Sequence, residues 1–158
     1  MLRNLLKKQR GFTIIEVMIV LAIAGLILVV VLIAVPQLQR NQRNSARQSI
    51  LGRVDTELAN YSGNNNGNIP DSSSLADVTT RYLANIDIND PSTGQPMQLV
   101  FVDKANITVD KVPSATEGQI SYSTDVKCDG EKLVDGNARN YAIWTLLEGG
   151  AVYCIDNI

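Results

Sequence analysis

The sequence contains no histidine and only two cysteines among its 158 residues. Histidine is the usual general base near neutral pH and the commonest metal ligand, so the sequence lacks the main residue type for both roles. A serine–histidine–aspartate triad is excluded, as is a zinc site built from four cysteines or from cysteines and histidines. We therefore expect a protein that is not an enzyme, with no catalytic residue and no cofactor.

A large net charge is also missing, because 14 basic and 16 acidic side chains leave −2. This near balance argues against a generic nucleic-acid-binding domain, which is expected to be basic. The charges are nevertheless unevenly placed. Residues 1–11 and 37–53 each carry four basic groups and no acidic one, whereas residues 54–158 carry six basic and fifteen acidic groups.

A long apolar run lies between the two basic stretches. Residues 17–35 include no polar side chain, and about 20 such residues cross a bilayer as a helix. A cleaved secretory signal would have a shorter apolar region of about 7–15 residues and a small-residue cleavage site. Neither feature is present, so the run predicts a helix that stays in the membrane.

The junction before this run reads KKQRGFTIIEVMIVL over residues 7–21. It strongly resembles the type IV prepilin signature, also called the class III prepilin signal. That signature is a short basic leader ending in glycine, then phenylalanine, then a glutamate four residues later inside an apolar segment. The resemblance covers about the first 40 residues closely and places the chain with the type IV pilin and pseudopilin superfamily.

The resemblance implies a specific maturation. A prepilin peptidase would cut after Gly11, remove residues 1–11 as a leader peptide, and leave Phe12 as a new amino terminus that is N-methylated. The precursor would cross the cytoplasmic membrane once, and the mature subunit would later stand in an extracellular pilus on the cell surface. Implied partners are identical subunits in a helical homopolymer, the peptidase, the inner-membrane assembly platform and its motor ATPases, with nucleic acid uncertain.

Glu16 is a charged residue inside the predicted membrane helix. Such residues are costly there and are candidates for a function with a specific partner. The resemblance supplies that partner as the ammonium group of Phe12 on a neighbouring subunit, and the pair would set register during filament assembly. The alternative is that Glu16 sits at headgroup level and keeps its charge in water.

Gly25 and Pro36 lie in the predicted transmembrane and filament-core helix, residues 12–36, and are the residues that can interrupt its regular structure. Small residues allow close helix contacts in membranes, and proline disfavours helix at the residue before it. The resemblance implies that residues 26–35 lose helical order in the filament. A simple kink at Pro36 is the alternative.

An amphipathic continuation of the helix is predicted over residues 37–61, where apolar residues recur mostly every four positions. Four arginines lie within it, at positions 40, 43, 47 and 53. They fit a solvated face, pairs with the acidic heads of neighbouring subunits, or contacts with DNA. We expect the first of these.

Residues 62–158 are predicted to form a globular head. A turn-rich segment begins at residue 62, and a short helix follows from about residue 75. Strands are then predicted at 98–102, 119–123, 141–147 and 151–155, and in the second of them polar residues alternate with Ile120 and Tyr122. The resulting fold class is α+β, with the long helix packed on a carboxy-terminal antiparallel sheet, as in the pilin fold; strand order is not readable.

Cys128 and Cys154 lie late in this head, the first in an expected loop. If the head is extracytoplasmic, as the resemblance implies, a disulfide between them would persist, and many family members join a similar region in this way. Two free thiols are the alternative. Asp125, Asp129 and Asp135 form an acidic loop that is a weak calcium candidate, although its spacing does not match an EF-hand. We therefore expect no metal.

The sequence thus predicts a structural subunit of a type IV pilus that serves adhesion, motility or DNA uptake. A pseudopilin of a type II secretion or competence machine, or a minor pilin, is the close alternative. A signal-anchored binding protein that never polymerises is a second class, and a membrane-tethered enzyme is a third.

Overall fold

The computed structural model describes residues 11–157, so the predicted leader lies, apart from Gly11, outside the described residues. The chain divides into two compact units, with the boundary between Gln39 and Arg40. Helix α1 (Ile14–Asn64) contributes to both units and contains Pro36. The remaining described elements belong to the second unit, and the α+β class is confirmed.

Helix α1 ends three residues later than the predicted end at residue 61. Its end coincides with a left-handed turn, in which Asn66 and Gly67 have φ values of 58° and 80°. The Gly67 amide donates to the Ser62 carbonyl at 2.8 Å, which satisfies one of the last carbonyls of the helix. The asparagine- and glycine-rich stretch therefore supplies the cap of the helix, and its first residues remain helical.

The second unit contains six strands, which are β1 (Gln98–Phe101), β2 (Gln119–Thr124), β3 (Val126–Asp129), β4 (Lys132–Asp135), β5 (Tyr141–Leu146) and β6 (Val152–Asp156). Four of them form a sheet in the order β1-β2-β5-β6, and β3 and β4 form a separate two-stranded ribbon. A short helix α2 (Leu75–Arg81) and a 3₁₀ turn (Lys104–Asn106) complete the described elements of this unit.

The four strands of the sheet match the four predicted from the sequence, but the sheet is not wholly antiparallel. Strand β1 runs parallel to β2, with Gln98 opposite Gln119 and Phe101 opposite Tyr122. The other two pairings in this sheet are antiparallel. A parallel pair needs a crossover connection of a dozen or more residues, and residues 102–118 provide one. The predicted antiparallel sheet is therefore wrong at this edge.

The ribbon β3-β4 was not predicted, because residues 125–135 were interpreted as a solvated acidic loop. Asp129 pairs with Lys132 across a two-residue turn, in which Gly130 has a φ of 64°. The turn residues are Gly130 and Glu131, and glycine at the first position of a two-residue turn is a hairpin signal that the acidic composition obscured. Cys128 consequently lies in a strand and not in a loop.

Strand β5 is buried on both faces of the sheet. Tyr141 and Ile143 pack toward the core formed with α1, whereas Ala142 and Trp144 pack toward the ribbon. Successive strand side chains point to opposite faces, so this strand needs apolar residues at consecutive positions. The α1 residues in the first core are Ile50, Leu51, Val54 and Leu58.

The disulfide Cys128–Cys154 is formed and joins the ribbon to β6. Cys128 also donates its backbone amide to Asp156 at 2.9 Å. The described strands of the ribbon and the sheet do not pair with each other, so this covalent bond is a direct link between the two.

Replacing both cysteines by serine is expected to lower the free energy of unfolding of the head. The cysteines are 26 residues apart in sequence, which corresponds to about 3.5 kcal/mol in the chain-entropy description of a disulfide. Urea denaturation of the full chain in detergent, followed by Trp144 fluorescence, would measure the loss. Reduction of the unmodified protein is the matched control and should give a similar loss; an unchanged midpoint after either treatment would contradict the prediction.

Four arginines lie in the second half of α1, at positions 40, 43, 47 and 53. Three of them lie within 4.0 Å of an acidic side chain of the head. Arg47 is fully buried and pairs with Asp90, and Arg43 makes a two-pronged contact with Glu148. Arg40 lies 4.0 Å from Glu148. The expected solvated face is therefore wrong for Arg43 and Arg47. It holds for Arg53, which is exposed, and for Arg40, whose side chain is 51% exposed.

Candidate functional site

The described chain begins with three residues that precede helix α1 and have no regular structure. The side chain of Phe12 is 90% exposed. No described atom outside its immediate neighbours lies within 4 Å of where a Cβ would stand on Gly11. Neither residue identity is therefore explained by packing within this part of the chain.

Helix α1 starts with a reciprocal cap between Thr13 and Glu16. The Thr13 backbone amide and its hydroxyl both donate to Glu16 Oε2 at 2.8 Å, and the Glu16 amide donates to Thr13 Oγ1 at 3.3 Å. This is the capping box that Thr-x-x-Glu sequences form at helix starts. Thr13 was not singled out from the sequence, although the spacing of the two residues was the signal for it.

The capping box gives Glu16 a partner within its own chain. Both donations end on one carboxylate oxygen, so the box does not use Oε1. A carboxylate so placed keeps its acceptor capacity for a further donor, since an ionised carboxylate accepts at both oxygens. The helix start and a second, charged contact can therefore share the same side chain.

Substituting Thr13 with alanine is expected to loosen the first turn of α1. Loss of an N-cap side chain costs about 1 kcal/mol, which corresponds to roughly fivefold faster exchange of the first helical amides if they open locally. Amide exchange of Glu16 and Val17, whose amides donate to Thr13, would measure this in detergent micelles. Thr13→Ser keeps the hydroxyl and should exchange at the native rate; equal rates for alanine and threonine would show that the cap is not used.

The apolar part of α1, residues 14–38, exposes its apolar side chains on every side. From Ile14 to Leu38, the large apolar residues are 42–82% exposed. An 18-residue window has a mean hydropathy of 3.4 and no buried residue, so the helix is long and apolar enough to cross a membrane. A helix that is apolar all round is typical of a membrane span or of the interior of an assembly.

Gly25 and Pro36 both lie inside α1, and the helix continues through them. No described atom other than the helix's own nearby backbone lies within 4 Å of a Cβ built on Gly25, so nothing in the described chain occupies the space beside it. Residues 26–35 are helical in this structure. The predicted loss of helical order in a filament stays a prediction.

The three aspartates of the weak calcium candidate do not converge on a common point. Asp125 stands between β2 and β3 with a φ of 61°, and Asp129 and Asp135 end the two ribbon strands. Lys104 pairs with Asp135 at 2.8 Å and donates to the Asp125 carbonyl at 2.9 Å. Within residues 11–157, no three histidine, cysteine, aspartate or glutamate side chains are placed to hold a metal ion.

Comparison with known proteins identifies the amino-terminal segment. A protein-family model of the prokaryotic N-terminal methylation motif matches residues 6–32. No curated protein and no solved structure matches the chain. The matched range contains Gly11, Phe12 and Glu16 together with most of the exposed apolar helix. The chain thus carries the class III prepilin signal, consistent with a type IV pilin, and this motif supports a precursor of the pilin and pseudopilin type.

Proposed function

We propose that the chain is a non-enzymatic structural subunit of a type IV pilus. Prepilin peptidase removes residues 1–11, the amino group of Phe12 is methylated, and the mature subunit polymerises through α1. The observation that supports this most is the methylation motif at residues 6–32, which coincides with the start of an apolar helical segment in which no residue of the 18-residue window is buried.

The exposed apolar part of α1 has to be covered, by lipid before assembly and by other subunits afterwards. Before assembly, α1 is solvated by lipid, as a single-pass anchor in the cytoplasmic membrane. Helices leave lipid for a protein core without a large hydrophobic gain, because lipid tails are as apolar as leucine. Side-chain packing and polar contacts must then direct assembly, and Glu16 is the polar group that this region offers.

Packing within the described chain does not explain why residue 11 is glycine, and the proposed processing does. Because no described neighbour occupies the space at its missing Cβ, the fold tolerates a larger residue there. The requirement for glycine then lies with the peptidase that cuts beside it. The inner-membrane platform and motor ATPases are the further partners of the proposed assembly.

The experiment that tests the proposal is electron microscopy of filaments sheared from producing cells, with mass spectrometry of their subunit. Abundant filaments whose subunit begins at N-methylated Phe12 would support a major pilin. A cleaved and methylated subunit without surface filaments would instead favour the pseudopilin or minor-pilin alternative. A chain that keeps residues 1–11 in the presence of active peptidase would overturn processing, and with it the proposal.

A further inference from the structure

The described part of the head presents one large apolar side chain to solvent. Among residues 40–157, that residue is Val112, which is 49% exposed. Its backbone is held on both sides, because the Lys111 carbonyl accepts from the Leu133 amide at 3.4 Å and Pro113 is buried. Val112 therefore stands out as an apolar knob on an anchored segment.

An apolar groove lies elsewhere on the head, between the end of α2 and the edge strand β1. It consists of two overlapping cavities of about 440 and 570 Å³. Leu83 and Met97 line it and are at most 3% exposed, and the half-buried residues Ile86, Ile88 and Leu99 line it with them. The groove is therefore large enough and apolar enough to take a side chain such as valine.

The knob and the groove lie on opposite sides of the sheet. Leu83 and Met97 belong to the core that the sheet forms with α1. Val112 lies beside Trp144, which packs on the other face, toward the ribbon. One molecule therefore cannot place its own knob in its own groove, whereas two copies of the chain can.

The charges next to the two features are complementary. Lys111 precedes the knob and is exposed, and Asp87 is exposed and lines the groove. Neither side chain belongs to an ion pair among the residues that the structure describes. Opposite charges beside two matching apolar surfaces favour one orientation of docking.

We propose that Val112 of one subunit docks in the β1 groove of a second copy of this chain, with Lys111 facing Asp87. A contact between unlike surfaces can repeat along a filament, whereas a contact between like surfaces closes a pair. The inference rests on the proposed filament, because bundled α1 helices would hold neighbouring heads at a high effective concentration. A contact of this small size then suffices to align the heads.

The test places one cysteine at the knob and one in the groove of the full chain, in producing cells under mild oxidation. The pair Val112→Cys with Ala84→Cys is compared with the pair Val112→Cys with Ala138→Cys. Ala84 lines the groove, and Ala138 is an exposed alanine of the head outside it. The native cysteines are already joined to each other, so the added thiols are the ones that react. Non-reducing electrophoresis and mass spectrometry of linked peptides give the yield and the residues joined.

Docking predicts a ladder of covalent oligomers joined between residues 84 and 112, and little product from the control pair. Adding Lys111→Glu should lower the yield of the ladder about fivefold, and adding Asp87→Lys as well should restore it, as for one exposed ion pair. An equal ladder from the control pair would overturn the proposal, and so would links that join only residue 112 to residue 112.

Electron microscopy of filaments from the same cells separates this contact from the proposed function. Filaments whose subunits give no ladder would overturn the docking contact and leave the pilus subunit standing. A ladder without surface filaments would support the contact and count against a surface pilus. Absence of both would overturn both.

Discussion

Filament assembly is expected to be lost when Glu16 is replaced by alanine, while membrane insertion and removal of residues 1–11 continue. In the proposed filament, Glu16 meets the amino group of Phe12 on a neighbouring subunit inside an apolar core. Removing one partner of a buried ion pair costs about 3–5 kcal/mol. That is about two to four orders of magnitude in the affinity of each added subunit, enough to stop polymerisation.

The capping box makes a sharper control available for this prediction. Glutamine also caps helices when it stands three residues after threonine, so Glu16→Gln keeps the cap with Thr13 but removes the charge. Sheared-filament yield, measured beside the level of processed subunit in the membrane, separates the two roles. Loss of filaments in both variants supports the ion pair. Native yield from Glu16→Gln would show that only the cap is needed, and native yield from Glu16→Ala would show that neither is.

Thr13→Ala completes this comparison, because it removes the cap and keeps the charge. We expect this variant to assemble, with a yield close to that of the native chain. The pattern across the three variants then assigns the requirement to the charge of Glu16 or to the helix start. Failure of Thr13→Ala alone would assign it to the helix start.

Replacing Arg47 by alanine is expected to destabilise the head by about 3–5 kcal/mol, because the carboxylate of Asp90 is left buried without its cation. Urea denaturation of the full chain in micelles, followed by Trp144 fluorescence, would measure this loss. Arg53→Ala is the matched control on the same helix and should change the stability by less than about 0.5 kcal/mol, as exposed substitutions usually do. If both variants lowered the free energy of unfolding equally, burial of the Arg47–Asp90 pair would not account for the loss.

The same pair makes the stability of the head depend on acid. Burial raises the pKa of Asp90, but the hydrogen bonds from Arg47 and Ser92 outweigh it and hold the pKa below its usual value of 3.8. A depressed pKa in the folded state contributes stability that is fully present above the unfolded pKa, about 3.9, and is lost as the pH falls through the folded pKa. The native head should therefore lose stability below about pH 4.

Without Arg47, the hydrogen bonds from Ser92 remain, but the hydrogen bonds and the charge of the arginine no longer lower the pKa of Asp90, which therefore lies above its native value. The variant should then lose less stability than the native protein as the carboxyl becomes protonated. The difference in free energy of unfolding between native and Arg47→Ala proteins should consequently shrink as the pH falls toward 4. A difference that is constant between pH 7 and pH 4 would show that lost packing, and not the charge, accounts for the destabilisation.

The sequence was sufficient for features that depend on neighbouring residues. The basic leader, Gly11, Phe12, Glu16 and the apolar run form a contiguous signal, and the family comparison confirms it over residues 6–32. The four sheet strands were also predictable, because short apolar segments bounded by turn residues are local features of the sequence. The helix cap by Thr13 and the turn at Gly130-Glu131 were equally local and could have been found from the sequence around them.

Other features were decided only by the tertiary structure. Periodicity places Arg47 on the helix but does not reveal that Asp90, 43 residues away in sequence, meets it in the interior. Nor does alternation determine that β1 runs parallel to β2, or that the ribbon covers the second face of β5. The sequence by itself determined which segments are apolar, helical or extended. Pairing between distant segments was settled by the fold, because it depends on how loops close and on which buried charges find partners.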